Sequence, residues 1–178
     1  MTYQAQIVPG LLQTPDYARA IAGTDPRYDS DSQRDRAVTA AAVRQEAVLG
    51  RAQQVSVVIG EAALRQVCGG PEVMAAQLTR LAELARDHPG ITLQVLPFQA
   101  GAHAASGGGS FTVLRFPHLP SLGVVYLDAV PGGIWLDEAA GVAACTRAFT
   151  LLRAAALSPA GSAELLQRTA GELDAPWS

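Results

Sequence analysis

Val55-Ser56-Val57-Val58-Ile59 is the stretch that decides the fold. It is short and β-branched, which reads as a buried strand. Gly60-Glu61-Ala62-Ala63-Leu64 then begins a short helix that stops at Gly69-Gly70. Pro71 opens a longer helix, because the N–H that proline lacks would go unpaired in a first turn anyway. Val73, Met74, Gln77, Leu78, Leu81, Leu84 and Ala85 recur on one face of it. His88-Pro89-Gly90 ends that helix, and Ile91 to Leu96 is a second apolar strand. A strand–helix–strand unit therefore spans Val55 to Leu96, with a right-handed crossover if its strands are parallel.

Downstream, Pro97 to Ser110 is rich in Gly and Ala and reads as a loop. Phe111 to Phe116 and Gly123 to Val130 are further strands, separated by Pro117-His118-Leu119-Pro120. Pro131-Gly132-Gly133 turns the chain into Ile134-Trp135-Leu136. From Asp137 the pattern is helical, with Val142, Cys145, Phe149, Leu152 and Ala156 on one stripe. Ser158-Pro159 starts a last helix with Leu165 and Leu166 inward, and Ala175 to Ser178 reads as a frayed tail.

Upstream, Thr14 can cap a helix whose first turn is Pro15-Asp16-Tyr17, with Asp16 at the positive end of the helix dipole. Thr24 to Asp35 is a polar loop running into a helix over about Ser32 to Arg51. That helix is amphipathic, with Val38, Ala41, Ala42, Gln45 and Val48-Leu49 inward and Arg34, Arg36, Arg44 and Glu46 largely outward. The whole predicts an α+β or mixed α/β fold: a single sheet of about five strands, built from a βαβ unit and a meander and covered by helices. Residues 1–178 read as one domain, without repeats or a separating linker.

Composition narrows the chemistry. All thirteen basic residues are Arg, so lysine Schiff-base, pyridoxal-phosphate and phosphate-loop chemistry are excluded. These arginines are scattered and the net charge is −3, a poor footprint for nucleic acid. Cys68 and Cys145 stand far apart, with no metal-like spacing to His88, His103 or His118. No metal and no cofactor is expected. Isolated reduced thiols, no signal-peptide pattern and no membrane-length apolar run predict a cytoplasmic protein with no membrane contact.

Three residues could do acid–base work. His103 lies in Gly101-Ala102-His103-Ala104-Ala105-Ser106-Gly107-Gly108-Gly109-Ser110, whose glycines could turn backbone N–H groups toward an anion. The run joins strand to strand, so it fits neither a dinucleotide nor a phosphate loop. Glu61 follows a strand end, where open α/β sheets gather ligands, although a first-turn carboxylate also simply complements the helix dipole. Asp128 is the carboxylate placed within the strand Tyr126-Leu127-Asp128. Ser106, His103 and Asp128 share the residue types of a hydrolase triad, but no spacing or nucleophile elbow supports one. Arg44 and Gln45 could hold a carboxylate or a backbone, and Tyr126, Phe98 and Phe111 could line an apolar ligand.

Several segments together resemble one family: Val8-Pro9-Gly10-Leu11-Leu12-Gln13-Thr14-Pro15-Asp16-Tyr17-Ala18-Arg19, Val43-Arg44-Gln45, Glu61-Ala62-Ala63-Leu64-Arg65, Gln77-Leu78, Gln94-Val95-Leu96-Pro97-Phe98, Gly101-Ala102-His103, Gly109-Ser110-Phe111-Thr112-Val113-Leu114, Val124-Val125-Tyr126 and Ala156-Leu157-Ser158-Pro159. They are similar to the C-terminal domain of unknown function in actinobacterial, Streptomyces-like helix-turn-helix regulators of the xenobiotic-response-element type, also described as antitoxin-like. In such regulators a DNA-reading half precedes the Pro-Gly-Leu-Leu-Gln-Thr segment. Here only Met1 to Gln6 precede it, so no DNA binding is expected of this chain alone.

The resemblance implies a sensor or interaction domain with a small hydrophobic metabolite or a small acidic partner protein, and a possible homodimer. The competing expectation is a stand-alone member recruited to natural-product biosynthesis. It would be a metal-free cyclase or isomerase using His103, Glu61 and Asp128.

Overall fold

The computed structural model describes residues 1–50, 54–116, 118–130 and 132–174. The expected helix end at Arg51, the turn prolines Pro117 and Pro131, and the tail Ala175–Ser178 lie outside the described residues.

The strands are β1 (Thr2–Gln4), β2 (Val55–Gly60), β3 (Ile91–Leu96), β4 (Phe111–Phe116), β5 (Leu119–Leu127) and β6 (Ile134–Leu136). The helices are α1 (Pro15–Thr24), α2 (Asp31–Leu49), α3 (Ala62–Arg65), α4 (Pro71–Asp87), α5 (Ala139–Ala155) and α6 (Pro159–Asp174). The fold is mixed α+β, with one six-stranded sheet in the order β3-β2-β1-β4-β5-β6. The β2–α4–β3 unit is parallel as its spacing predicts, and β4, β5 and β6 form the antiparallel meander.

The strand beyond the expected five is β1, and it is central. It pairs parallel with β2 and antiparallel with β4, and so joins the two halves of the sheet. Two further expectations need correcting. β5 starts at Leu119 and ends at Leu127, so Asp128 lies just past the strand, not in its middle. On α2, Val38, Ala41, Gln45, Val48 and Leu49 do share the inward side, but they are only half-buried and Ala42 is exposed.

Tyr3 and Gln4 point to opposite faces, as neighbours on a strand must, and each face has its own core. On one face α4, α6, Tyr17 and Leu12 pack on Val57, Ile59, Leu93 and Val95. On the other, Val142, Phe149 and Leu152 of α5 pack on Tyr3, Val58, Phe111, Val113 and Val125. At Gly123 a Cβ would sit 2.6 Å from Val142 Cγ1, so glycine lets α5 lie close to β5.

The Pro9–Pro15 segment is held by amide side chains. Gln77 is fully buried on α4; its Oε1 accepts from Thr14 N at 2.6 Å and its Nε2 donates to Leu12 O at 2.9 Å. Gln45 Nε2 donates to Gly10 O at 2.8 Å and Gln13 O at 2.9 Å, while Gln13 Nε2 donates to Val8 O at 2.8 Å. Val8 N donates to the buried Tyr17 hydroxyl at 3.2 Å, and Thr14 Oγ1 caps α1 by accepting from Tyr17 N. Besides the one helical turn at Gly10–Leu12, where Leu12 N donates to Pro9 O at 2.8 Å, these side chains take up backbone groups that would otherwise lack partners.

Candidate functional site

One row of side chains crosses the whole sheet in register: Leu93, Val57, Thr2, Thr112, Tyr126 and Trp135. Helices α4 and α6 seal its Leu93–Val57 end. The middle is polar, with the Thr2 and Thr112 hydroxyls 3.2 Å apart. The far end is open to solvent, where Trp135 is 62% exposed and Leu114, two residues beyond Thr112 on the same face, 40%. No residue of β4, β5 or β6 joins the α4–α6 core among the described residues.

Tyr126 and Trp135 pack with ring centroids 4.7 Å apart and planes tilted by 52°. A side chain at position 133 would overlap the Tyr126 ring, so Gly133 lets the turn before β6 lie on the ring face. The loop between α1 and α2 brings the Arg27 charge close to the Tyr126 phenol. Arg27 is itself bound to Asp25, which holds that carboxyl below its usual range. At the inner end, Gln4 Nε2 donates to Asp128 Oδ2 at 3.0 Å. The result is an open aromatic shelf with hydroxyl, amide and carboxylate groups along it, suited to holding a flat or extended apolar group by contact area and a few polar bonds.

The other candidates lie elsewhere. Glu61 Oε2 accepts from Phe98 N at 2.9 Å, and Glu61 Oε1 pairs with Arg65 at 3.3 Å, at the carboxyl ends of β2 and β3. Phe98, in the turn after β3, is 62% exposed. His103 is on the α5 face, its ring 5.8 Å from Tyr3 in an edge-on arrangement. Its Nδ1 accepts from Ala105 N at 3.2 Å, which in the neutral ring leaves the proton on Nε2. Ser106 Oγ accepts from His103 N at 2.8 Å within the loop, while Ser110 Oγ accepts from Ala5 N at 3.1 Å and ties the loop's end to the residue after β1. Phe111, buried 5.9 Å from Tyr3, is a core residue of that face.

His103 and Asp128 therefore lie on opposite faces of the sheet, beside Tyr3 and Gln4 respectively, and Glu61 sits at a strand end with its own partners. The three do not form one acid–base set. Gln45 serves the backbone of the Pro9 turn, and Arg44 is exposed on α2. Trp135 was not among the sequence candidates. Its signal was an apolar triplet on the last strand of a meander, where one edge has no neighbour to bury it.

An open depression of about 430 Å³ along α4 is lined by Glu72, Ala75, Ala76, Thr79, Arg80 and Glu83. It lies on one helix and carries no aromatic residue. Cys68 and Cys145 are free thiols, and burial pushes the Cys145 pKa up. Among the described residues, no three His, Cys, Asp or Glu side chains gather as a metal site, and no single helix is long and apolar enough to cross a membrane.

These features define a small mixed-sheet α+β domain with an open aromatic half-face. Residues 1–168 match the family model described as a domain of unknown function (DUF5753), and the chain belongs to that family. No curated protein and no solved structure matches it.

Proposed function

We propose that this is a non-catalytic recognition domain, a sensor or interaction unit of the kind carried by cytoplasmic, actinobacterial helix-turn-helix regulators. It does not itself bind DNA. Its recognition surface is the open half of the sheet: Thr112, Leu114, Val124, Tyr126 and Trp135, with Gln4 and Asp128 at one end. The observation that carries this is the register row, whose Leu93–Val57 end is sealed by helices while at its other end Trp135 is exposed and, among the described residues, no helix core covers it. Exposed paired aromatics beside polar groups offer contact area and orientation together. The basic residues are scattered, which supports a role apart from nucleic acid.

The test is a thermal-shift and native mass-spectrometry screen of apolar metabolites and small proteins, run in parallel on the native chain and on a Tyr126→Ala/Trp135→Ala variant. Binders lost in the variant support the reading. Turnover of a substrate that persists in the variant and is lost in a His103→Ala or Glu61→Ala chain would replace it with the biosynthetic-enzyme reading.

A further inference from the structure

The two edges of the sheet are treated differently. At the β3 edge the backbone is occupied: Leu157 N donates to Val95 O at 2.9 Å, and Val95 N donates to Ser162 Oγ at 2.8 Å. Gln94 Nε2 adds a bond to Leu157 O at 2.8 Å, so the α5–α6 connection lies along that strand. At the β6 edge, the described residues show only the ladder to β5. Alternate backbone groups of an edge strand point away from its neighbour and can template another strand.

Natural edges are often blunted by Lys, Pro or inward charge. β6 carries Ile134, Trp135 and Leu136 instead, all exposed. A strand of three residues offers too few backbone bonds to hold a partner alone, so its side chains must supply the rest. Two exposed carboxylates, Asp137 and Glu138, follow it directly. None of the ion pairs among the described residues uses them. Trp135 is itself 62% exposed, and an indole ring face suits a guanidinium or ammonium group.

We propose that the β6 edge receives an extended, arginine- or lysine-bearing segment of a partner protein by strand addition. This deepens, and rests on, the recognition reading above. Backbone bonds to β6 align the segment, alternate apolar side chains meet Ile134 and Leu136 on one face, and cationic ones meet Trp135 and the two carboxylates. Charge argues against a second copy as the occupant. Antiparallel pairing of β6 with itself brings Asp137 and Glu138 of both copies to one seam, where like charges repel.

The probe is an octapeptide of alternating Arg and Val, compared with its Glu–Val counterpart and with an Arg–Val peptide N-methylated at every second residue. Binding is read by amide chemical shifts on the labelled full chain. The Arg–Val peptide is expected to shift the Ile134–Leu136 amides. N-methylation, or the Asp137→Asn/Glu138→Gln variant, is expected to weaken binding by about tenfold or more. The variant's side chains are exposed, so its thermal midpoint should stay close to that of the native chain.

Equal binding of the Glu–Val or N-methylated peptide, shifts centred away from β6, or no binding of the Arg–Val peptide overturns the proposal. So does a dimer that buries β6. If the peptides fail while the screen above yields a ligand lost in the Tyr126→Ala/Trp135→Ala variant, strand addition falls and the recognition reading stands. If every ligand found binds that variant unchanged, both fall.

Discussion

Tyr126 and Trp135 face each other directly across β5 and β6, on a half-face of the sheet that no helix core reaches among the described residues. Aromatic pairs of this kind contribute about 0.5–1.5 kcal/mol beyond their buried area, so the shelf holds its shape before anything binds to it. Trp177 lies outside the described residues, and a Trp177→Phe chain leaves Trp135 as the sole tryptophan. Its emission should be that of a solvent-exposed indole and should be readily quenched by acrylamide. A blue-shifted, protected emission would mean that the shelf is covered.

Gly133→Ala should displace the Tyr126 ring, because the added methyl overlaps it. A loss of about 1–3 kcal/mol is expected from overpacking, read as a lower denaturant midpoint together with a change in Trp135 emission. Gly132→Ala is not an equivalent control, since Gly132 has φ +135° and strains for a different reason. Gly141→Ala, which meets open space at the first turns of α5, is the better one and should be near neutral.

Gln77→Leu should be among the most destabilising single changes in the chain. It keeps the side chain similar in size but replaces the amide with apolar atoms, leaving Thr14 N and Leu12 O without their partner. Each orphaned buried group costs about 1–3 kcal/mol, so a loss of about 3 kcal/mol is expected in urea unfolding. Leu78→Ala, next to it in the core, tests packing alone and should cost a similar amount through its cavity.

Tyr17 gives the fold an alkaline limit. Burial is the main cause that pushes its pKa above the ordinary 10.0, and Cys68 beside it adds to the rise. The unfolded chain loses this proton near pH 10 while the folded chain keeps it. Stability is therefore flat in this group below about pH 10 and falls as pH rises further. Tyr17→Phe should be less stable at neutral pH, because Val8 N loses its acceptor, yet show a shallower decline above pH 10. Parallel declines would assign the alkaline limit to other groups such as Tyr3.

His103→Ala should cost about 1 kcal/mol, from the lost edge contact with Tyr3 and the bond from Ala105 N. Because His103 is on the α5 face, the affinity of any ligand held by Trp135 should not change. A large loss of binding would move the site to the other face of the sheet.

The parallel unit was legible because its signals are local: a β-branched run, a proline-opened helix with an apolar stripe, and a Pro-Gly stop. β1 was not. Thr2–Gln4 is three residues long, and it is a strand only because Val57 and Thr112, distant in sequence, flank it. The spacing of α2 and α4 gives apolar stripes, whereas Gln45 and Gln77 on them act through their amides on the turn at Pro9. Spacing places a glutamine on a face but does not say which backbone it will meet. Among the candidate residues, Tyr126 lies on the open shelf with Asp128 at its end, and Phe111 is in the core. Residue type alone could not separate them, because the two aromatics sit on opposite faces of paired strands and only one face is sealed.

The most direct test of the recognition surface is to map where a bound molecule touches. The strongest binder from the screen should be titrated into the isotopically labelled chain and followed by amide and aromatic side-chain shifts. The surface proposed here predicts that perturbations centre on Thr112, Leu114, Val124, Tyr126 and Trp135, leaving Tyr3, His103 and Glu61 nearly still. Perturbations centred on Glu61, Phe98 and His103, with Trp135 unmoved, would contradict it.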